Sequence, residues 1–332
     1  MPLVLVTDST FDHLDVESAI LGPLGCQIES RQCKTPDELI EAVPNADYII
    51  TQFAPVNAAV IGAMAKARVI VRYGIGVDNV DLDVARARGI PVCNVPDYCI
   101  DEVADQTLAF ILSATRQVVP HCLGVRNGAW RLAVPLDQMK TLRDLTVGVV
   151  GCGRIGREVI RRLVPFKCRV LAFDPVVNPA EIAALGATAV GSLADLLAGS
   201  DVVTLHCPSN AHTRKMINAY ALALLRPGSI LVNLSRGDLV DTEALVAALQ
   251  SGRLGAAALD VCDPEPIPLG HPLLGLPGVI VSPHNASASA RAVRSLRETV
   301  AATVARALRG EPLPSSVNGV DRPRFATAAT PA

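Results

Sequence analysis

Ten residues near the middle of the chain are Val147-Gly-Val-Val-Gly-Cys-Gly-Arg-Ile-Gly156. Their apolar first half predicts a buried strand, and the next run, Arg157-Glu-Val-Ile-Arg-Arg-Leu163, predicts a helix. The turn between them, here called the glycine loop, has the spacing Gly-x-Gly-x-x-Gly. The first glycine permits the tight turn, the second lets the backbone approach a pyrophosphate, and the third lets helix pack on strand. The free N–H groups and dipole of the helix amino terminus would bind the phosphates.

An acidic residue stands where such a loop requires one. The apolar run Arg169-Val-Leu-Ala-Phe173 predicts a second strand, and Asp174 follows it directly. An acid about 20 positions after the first glycine accepts hydrogen bonds from the adenosine ribose hydroxyls. Because its carboxylate would repel a 2′-phosphate, the sequence predicts NAD rather than NADP as cofactor.

Composition bounds the class of protein. The chain has 332 residues, enough for two domains, and is 50% hydrophobic but only 3% aromatic, which suits helices packed on buried parallel strands. A net charge of −2 without a basic tract excludes nucleic acid as a general partner. The nine cysteines form no Cys-x-x-Cys pair and no cluster with histidine, so we expect reduced thiols and no metal site. With no signal peptide and no 18-residue apolar run, we expect no membrane association and a cytoplasmic protein.

The first 100 residues predict a domain that precedes the glycine loop. Strands are expected at Leu3–Val6, Tyr48–Ile50 and Val69–Val71, with helices at 35–43, capped by Thr35, and at 56–67. The last strand leads into Arg72-Tyr-Gly-Ile-Gly-Val-Asp-Asn-Val-Asp81. This segment either holds a carboxylate by backbone N–H groups or is an ordinary strand-to-helix turn.

A second alternation of strands and helices runs from 147 to about 285. We expect strands at 202–205, 229–232, 256–259 and 279–281, and a helix capped by Asp241. Each strand end carries polar residues, and the carboxyl ends of strands are where open α/β sheets bind ligands.

Long amphipathic segments flank this series. One, 100–125, is predicted as a single helix with Asp101 as its N-cap, and the other, 287–308, as a helix whose apolar stripe faces a core. The tail from Pro323 is expected to be disordered.

Three ionisable residues follow successive strands of the second series: Arg236, Glu265 and His284. Arginine can bind a carboxylate or polarise a carbonyl, and histidine can exchange a proton near neutral pH when a carboxylate orients it. Each residue alone is more simply explained as an ion pair, a solvated acid or a structural imidazole. Together, at the cofactor edge of a nucleotide-binding sheet, they indicate general acid–base catalysis on a 2-hydroxy acid.

These motifs resemble those of the D-isomer-specific 2-hydroxyacid dehydrogenases, in order and over nearly the whole chain. The matching segments are Gly74–Asp81, the glycine loop, Asn233–Asp241, Ala257–Asp260 with Glu265-Pro266, and Ser282-Pro-His284. The resemblance implies an α/β protein with two parallel-sheet domains. A flavodoxin-like substrate domain (1–100 and 288–332) would be interrupted by an NAD-binding Rossmann domain (101–287). It also implies a homodimer formed through the NAD domains.

The resemblance also implies roles for individual residues. Arg236 would bind and polarise the substrate, His284 would be the acid/base, and Glu265 would pair with His284. Substrate contacts would come from Arg236, His284 and the segment Tyr73, Gly74, Ile75, Gly76 and Val77, here called the Tyr73 loop. Cofactor contacts would come from Gly151, Gly153, Arg154, Ile155, Gly156, Asp174, Cys207, Pro208, Asn210, Thr213, Leu234, Ser235, Arg236, Asp260 and His284.

The nearest branches by resemblance are phosphoglycerate dehydrogenase and the C-terminal-binding proteins. The segments Val92-Cys-Asn-Val-Pro96 and Glu102-Val-Ala-Asp105 are similar to the latter. Gln52 stands where the phosphoglycerate enzymes tend to place a basic residue, and Asn285 where a small or apolar residue is usual. The substrate is therefore left open among D-2-hydroxy acids. The alternative function is an NAD(H)-sensing interaction protein with little turnover.

Overall fold

The computed structural model describes residues 1–324. In chain order the strands are β1 (Leu3–Val6), β2 (Gln27–Ser30), β3 (Tyr48–Thr51), β4 (Ile70–Arg72), β5 (Val92–Cys93), β6 (Thr146–Val150), β7 (Arg169–Phe173), β8 (Thr188–Ala189), β9 (Val202–Leu205), β10 (Ser229–Asn233), β11 (Leu254–Leu259) and β12 (Val279–Val281). The helices are α1 (Asp15–Leu21), α2 (Pro36–Ala42), α3 (Ala58–Ala63), α4 (Leu82–Ala87), α5 (Ile100–Thr115), α6 (Val118–Arg126), α7 (Arg154–Leu163), α8 (Pro179–Ala184), α9 (Leu193–Gly199), α10 (Ala219–Leu224), α11 (Thr242–Gln250), α12 (Pro272–Gly275) and α13 (Ala290–Leu308).

The chain divides into two compact units, each with its own sheet. The first unit is made of Met1–Tyr98 and the described residues from Ser289 onward, and the second is Cys99–Ala288. Both sheets are parallel, as the mixed α/β pattern predicts.

The first unit has the strand order β2-β1-β3-β4-β5, which is the order of flavodoxin. Alternate residues of β1 enter different cores. Val4 and Val6 pack with Val300 and Val304 of α13, whereas Leu5 packs with residues of α2, α3 and α4. The predicted apolar stripe of the last helix is therefore a core stripe, as expected.

The second unit has the order β12-β11-β10-β9-β6-β7-β8. The strand order reverses between β6 and β9, which is the topological switch point where doubly wound sheets bind nucleotides. On one face, α9, α10, α11 and α12 pack over Leu205, Leu231 and Leu259. Helix α5 contacts α7, β10 and β11. The glycine loop follows β6, at the switch point.

Short polar side chains start several helices. Thr35 and Glu38 form a capping box at α2, Asp241 caps α11, and Ser289 caps α13. The caps predicted at Thr35 and Asp241 are thereby confirmed. Helix α3 is shorter than the predicted 56–67: Asn57 caps it, and Arg88 donates hydrogen bonds to the carbonyls of Ile61 and Gly62 at its end.

The single helix predicted for 100–125 is wrong. The segment forms α5 and α6, bent by 64°, with Gln117 between them at a φ of 54°. Pro120 explains the break, because it has no N–H to continue a helix and is tolerated only in a first turn. The predicted cap is also wrong: Cys99 is the N-cap of α5, and Asp101 lies inside the first turn.

Three short strands were not predicted. Strand β2 lies at a sheet edge with exposed and half-buried side chains, and β5 and β8 have only two residues each. None of them therefore has the apolar pattern of a buried strand. The tail expected to be disordered begins at Pro323, and its residues from 325 onward lie outside the described part of the chain.

Within residues 1–324, no single helix has the length and apolar character needed to cross a membrane. Only α5 and α6 taken together, across their bend, meet that test of length and composition.

Candidate active site

The glycine loop makes close backbone contacts that exclude side chains. Gly151 has a φ of 94°, and a Cβ there would lie 2.7 Å from the carbonyl of His206 on the neighbouring strand end. A Cβ at Gly156 would lie 2.0 Å from the carbonyl oxygen of Gly151. These two glycines are therefore required by packing between β6, α7 and the end of β9.

Gly153 differs from its two neighbours. It is the N-cap of α7, and a Cβ there would meet no described atom within 4 Å. The N–H groups in the first turn of a helix have no partner within the helix. The open space and these donors fit a pyrophosphate group.

Asp174 connects β7 to the glycine loop. Its Oδ2 accepts a hydrogen bond from the Cys152 N–H at 2.7 Å, and its Oδ1 accepts from Val176 at 2.9 Å and Val177 at 3.1 Å. Partial burial acts to raise the pKa of Asp174, but these three donors outweigh it and hold the pKa below its ordinary value. A carboxylate has about four acceptor positions, so capacity for a ribose hydroxyl is left.

The segment from Cys207 to Thr213 is fixed by its own polar groups. The Thr213 hydroxyl donates to the Pro208 carbonyl at 2.7 Å and accepts from the Asn210 N–H at 2.9 Å. The Ser235 hydroxyl donates to the Cys207 carbonyl at 2.5 Å. The two segments predicted to contact the cofactor, after β9 and after β10, are therefore joined, and Leu234 between them is buried.

His284 and Glu265 are in direct contact. Nδ1 of His284 lies 2.6 Å from Oε1 of Glu265, although 19 positions separate them in the chain. His284 has a φ of 51°, an uncommon conformation for a residue other than glycine. Its N–H donates to the Asp260 carbonyl at 2.8 Å, which ties it to the end of β11.

Asp260 holds the segment that carries His284. The residue is only 2% exposed, and its carboxylate accepts hydrogen bonds from the Ser282 hydroxyl, the Asn285 N–H and the Ala286 N–H. Sequence reasoning assigned Asp260 to the cofactor and did not predict this positioning role. Its place directly after a buried strand, two strands from the switch point, was the available signal.

Arg236 lies near the His284–Glu265 pair. Partial burial acts to raise the pKa of Glu265, but the hydrogen bond and charge of His284, the Cys262 N–H and the charge of Arg236 together lower it. Glu265 is therefore ionised at neutral pH. Its carboxylate then accepts, so Nδ1 of His284 carries the proton in that hydrogen bond.

Two residues that sequence reasoning passed over hold the Arg236 segment. Asn233 is fully buried; its side-chain NH₂ donates to the Arg236 carbonyl at 2.7 Å and its Oδ1 accepts from the Ser235 N–H at 3.0 Å. A Cβ at Gly237 would lie 1.9 Å from the Cys262 carbonyl oxygen. An Asn and a Gly flanking an arginine at a strand end are the signal that could have identified them.

The Tyr73 loop lies in the first unit, after β4. The N–H groups of Ile75, Gly76 and Val77 have no hydrogen-bond partner among residues 1–324. The loop is nevertheless held in place, because the Asn94 side chain donates to the Ile75 carbonyl at 2.6 Å. Unpaired N–H groups on a fixed backbone suit an anion.

The residue that follows β3 is Gln52, whose side chain carries no positive charge. Its side-chain oxygen accepts from the Thr10 N–H at 2.7 Å and its amide nitrogen donates to the Thr10 hydroxyl at 3.2 Å. Asn285, the other departure from the family pattern, has an exposed side chain.

Thiol and metal chemistry find no support at this site. Burial raises the pKa of Cys152 to about 12 and those of Cys207 and Cys262 to about 11, so all three are protonated thiols at neutral pH. Among the residues that the structure describes, no group of three or more His, Cys, Asp or Glu side chains could hold a metal ion.

Comparisons with known proteins identify the family to which the chain belongs. Residues 108–286 match the family model for the NAD binding domain of D-isomer specific 2-hydroxyacid dehydrogenases. D-3-phosphoglycerate dehydrogenase of Mycobacterium tuberculosis is 39% identical over 96% of this chain, and the chain spans 59% of that relative's length. Glyoxylate reductase of Korarchaeum cryptofilum is 38% identical over 84% of this chain and 85% of its own length.

A solved structure shows the same fold. D-lactate dehydrogenase of Aquifex aeolicus, complexed with NAD and lactic acid, has a TM-score of 0.85 and 27% identity over 93% of this chain and 96% of its own. The chain therefore belongs to the D-isomer specific 2-hydroxyacid dehydrogenase family, and its second unit contains the NAD-binding domain of that family.

Proposed function

We propose that the chain is an NAD-dependent dehydrogenase that transfers a hydride between NAD(H) and a D-2-hydroxy acid or its 2-oxo acid. The observation that carries this proposal is the contact between His284 Nδ1 and Glu265 Oε1, at 2.6 Å, with the charge of Arg236 nearby. These groups follow strands of the same parallel sheet whose β6 end carries the glycine loop. This arrangement supports the roles of acid/base, orienting carboxylate and substrate cation that we assign to His284, Glu265 and Arg236.

His284, Arg236 and Glu265 have different tasks in the proposed reaction. When bound, the nicotinamide would supply or accept the hydride. His284 exchanges the proton of the substrate hydroxyl through Nε2, because Nδ1–H is held by Glu265. Arg236 binds the substrate and polarises its carbonyl with a guanidinium whose charge is permanent. Glu265 orients the imidazole by accepting the hydrogen bond from Nδ1.

The first unit is proposed as the substrate-binding domain, and its Tyr73 loop as the group that binds the substrate carboxylate. This role is supported by the N–H groups of Ile75, Gly76 and Val77, which have no hydrogen-bond partner in the described part of the chain. The substrate side chain stays open. The amide of Gln52 is satisfied by Thr10, so this side chain supplies no positive charge for a phosphate.

The proposal is tested by NADH consumption across glyoxylate, hydroxypyruvate, pyruvate, a branched-chain 2-oxo acid and 3-phosphohydroxypyruvate. We expect turnover on at least one acid, and His284→Gln should lower kcat by about 10²- to 10⁴-fold. His13→Gln, which changes an exposed imidazole, is the control. Wild-type turnover by His284→Gln would overturn the role of His284. Tight NADH binding without turnover on any acid would instead favour a cofactor-sensing interaction protein.

We also propose a homodimer formed through the NAD-binding domain. Exposed apolar side chains gather between residues 118 and 136: Val118, Leu123, Val125, Trp130, Leu132 and Leu136. Trp130 is 90% exposed and Leu136 is 74% exposed, which is unusual for side chains of this size on a free surface. A second copy of the chain is the partner that the family resemblance implies.

The proposed cytoplasmic location is supported by the cysteines. All nine lie within the described residues and none forms a disulfide. Unpaired thiols are typical of a reducing compartment.

A further inference from the structure

A buried ion pair joins the two ends of the chain within the first unit. Glu17 of α1 is 0% exposed, and Arg297 of α13 binds both of its carboxylate oxygens, with Nε 3.0 Å from Oε1 and Nη2 2.7 Å from Oε2. Nη2 of Arg297 also donates to the His13 carbonyl at 2.6 Å and to Asp15 at 2.8 Å. The guanidinium is therefore held in one orientation by several acceptors.

The third member of the cluster is Tyr73. Its hydroxyl donates to Oε1 of Glu17 at 2.8 Å, and its side chain is almost fully buried. The Tyr73 ring packs edge-on against Phe11 at 5.2 Å, and the Arg297 guanidinium lies 5.1 Å from the same Phe11 ring. Burial, and then the charge and hydrogen bond of Glu17, raise the pKa of Tyr73, so that it remains a protonated donor.

Tyr73 is the first residue of the loop in which the N–H groups of Ile75, Gly76 and Val77 have no partner among residues 1–324. Its own N–H donates to the Thr51 carbonyl at 2.8 Å, and the next residue, Gly74, has a φ of 149°. The Gly74 carbonyl accepts from the Val95 N–H at 3.0 Å. The direction of the following N–H groups thus depends on where Tyr73 is held, and Glu17 and Arg297 hold its side chain.

Burial of this pair is not explained by stability alone. Removing two charges from water is costly, and apolar side chains of similar volume often pack equally well or better. A polar cluster does provide what apolar packing does not, which is a fixed direction for a hydroxyl and therefore for the backbone attached to it.

We propose that Glu17 and Arg297 are positioning residues that hold Tyr73 and thereby set the affinity of the Tyr73 loop for the substrate carboxylate. This inference rests on the carboxylate-binding role proposed for that loop. The loop and the cluster lie in the first unit, and the proposed proton-transfer pair lies in the second. Loosening the cluster is therefore expected to weaken binding of the 2-oxo acid and to leave the cofactor site unchanged.

The test compares Tyr73→Phe, Arg297→Lys and Arg297→Met with wild type. Kinetics are measured on the best 2-oxo acid of the panel, and calorimetry measures the Kd of oxalate, a carboxylate probe that is not turned over. Tyr73→Phe removes one hydroxyl and should raise the KM of the 2-oxo acid and the Kd of oxalate about fivefold. Arg297→Met should raise both by about tenfold or more, and Arg297→Lys should recover part of that loss.

A control variant and two constants that should not change separate a loss of positioning from a loss of structure. Arg294→Met removes an exposed ion pair with Glu298 on the same helix and should change neither constant. The KM of NADH and the kcat per folded molecule should remain within about twofold of wild type. A partly unfolded sample would instead lower the apparent kcat without raising the KM of the 2-oxo acid.

The outcomes distinguish the two proposals. Wild-type turnover together with unchanged KM and oxalate Kd in Tyr73→Phe would overturn this inference and leave the dehydrogenase proposal intact. No wild-type turnover, with oxalate binding that weakens in Tyr73→Phe, would contradict the dehydrogenase and support the positioning role. Failure of the wild-type protein to bind oxalate at all would contradict the loop assignment and this inference with it.

Discussion

At the residue scale, Asp174 holds its own loop together and is proposed to select the cofactor. Its carboxylate accepts hydrogen bonds from the N–H groups of Cys152, Val176 and Val177, and we propose that its negative charge repels a 2′-phosphate. Hydrogen bonding and charge can be separated, because an asparagine oxygen still accepts N–H groups but carries no charge.

We expect Asp174→Asn to narrow the preference for NADH over NADPH by about tenfold, since the repulsion of the 2′-phosphate is removed. The measurement is the ratio of kcat/KM for the two cofactors with one 2-oxo acid. Asp195→Asn, on the exposed side of α9, is the control. A wild-type enzyme that prefers NADPH would show that the role given to Asp174 is wrong.

A second residue-scale prediction concerns His206 at the end of β9. Its Nε2 lies 2.9 Å from the Thr204 hydroxyl, and burial lowers its pKa from 6.5 to about 3. The unfolded chain therefore binds a proton below pH 6.5 that the folded chain does not. The contribution of His206 to the unfolding free energy is therefore fully present above pH 6.5. It falls as the pH decreases towards 3, by at most about 1.4 kcal/mol per pH unit.

His206→Gln should make the dependence of the unfolding free energy on pH shallower between pH 6.5 and 4. Urea unfolding at half-unit steps measures this slope for the variant, for wild type and for His13→Gln as control. Two curves for His206→Gln and wild type that run parallel over this range would contradict the prediction, whatever their vertical offset.

At the element scale, the glycines of the loop between β6 and α7 belong to one motif but differ in the space that surrounds them. Gly156 is required by contact with Gly151, whereas Gly153 has open space in front of it. Gly156 is thus required by the fold, and we propose that Gly153 is required by the cofactor.

Alanine substitutions should separate these requirements. Gly156→Ala should lower the unfolding free energy by about 1–3 kcal/mol through overpacking, and NADH binding should weaken with it. Gly153→Ala should change stability by less than about 1 kcal/mol but weaken NADH binding at least tenfold, because its methyl group enters the space for the pyrophosphate. Thermal unfolding and fluorescence titration with NADH measure the two effects. Gly191→Ala, where a Cβ also meets no atom, is the control, and equal NADH affinity in Gly153→Ala and wild type would contradict the assignment.

At the scale of the whole molecule, the proposed dimer is argued from the exposed apolar side chains between 118 and 136. Trp130 and Leu136 are the most exposed of them. If the surface is the dimer interface, a charge placed there must be buried without a counter-charge, which is strongly unfavourable.

We expect the wild type to sediment as a dimer at micromolar concentration and the double variant Trp130→Asp, Leu136→Asp to sediment as a monomer. Analytical ultracentrifugation of both proteins measures this. Leu269→Asp, which changes a fully exposed leucine elsewhere in the same unit, should remain dimeric. A wild-type monomer, or a dimer unaffected by the double variant, would contradict the proposed interface.

Patterns that are local in the chain were predicted well. Strands such as Arg169–Phe173, Val202–Leu205 and Val279–Val281 have the bounds expected of them, because a buried parallel strand is a short, continuous apolar run. The helix break at Gln117 was missed, since the apolar periodicity continues through it and only Pro120 signals the change. The edge strands β2, β5 and β8 were missed because β2 is partly exposed and β5 and β8 have only two residues each.

By itself, the sequence determined the α/β class of the two units and the glycine loop, and it identified Asp174, Arg236, Glu265 and His284 as candidate site residues, because each depends on residue type and spacing along the chain. Only the tertiary structure decided which groups meet. Packing of parallel strands brings His284 within hydrogen-bond distance of Glu265, commits the Asp260 carboxylate to the Ser282–Ala286 segment, and joins Glu17 to Arg297 and Tyr73. Such contacts depend on strand order and side-chain direction between segments far apart in the chain, and no local pattern encodes them.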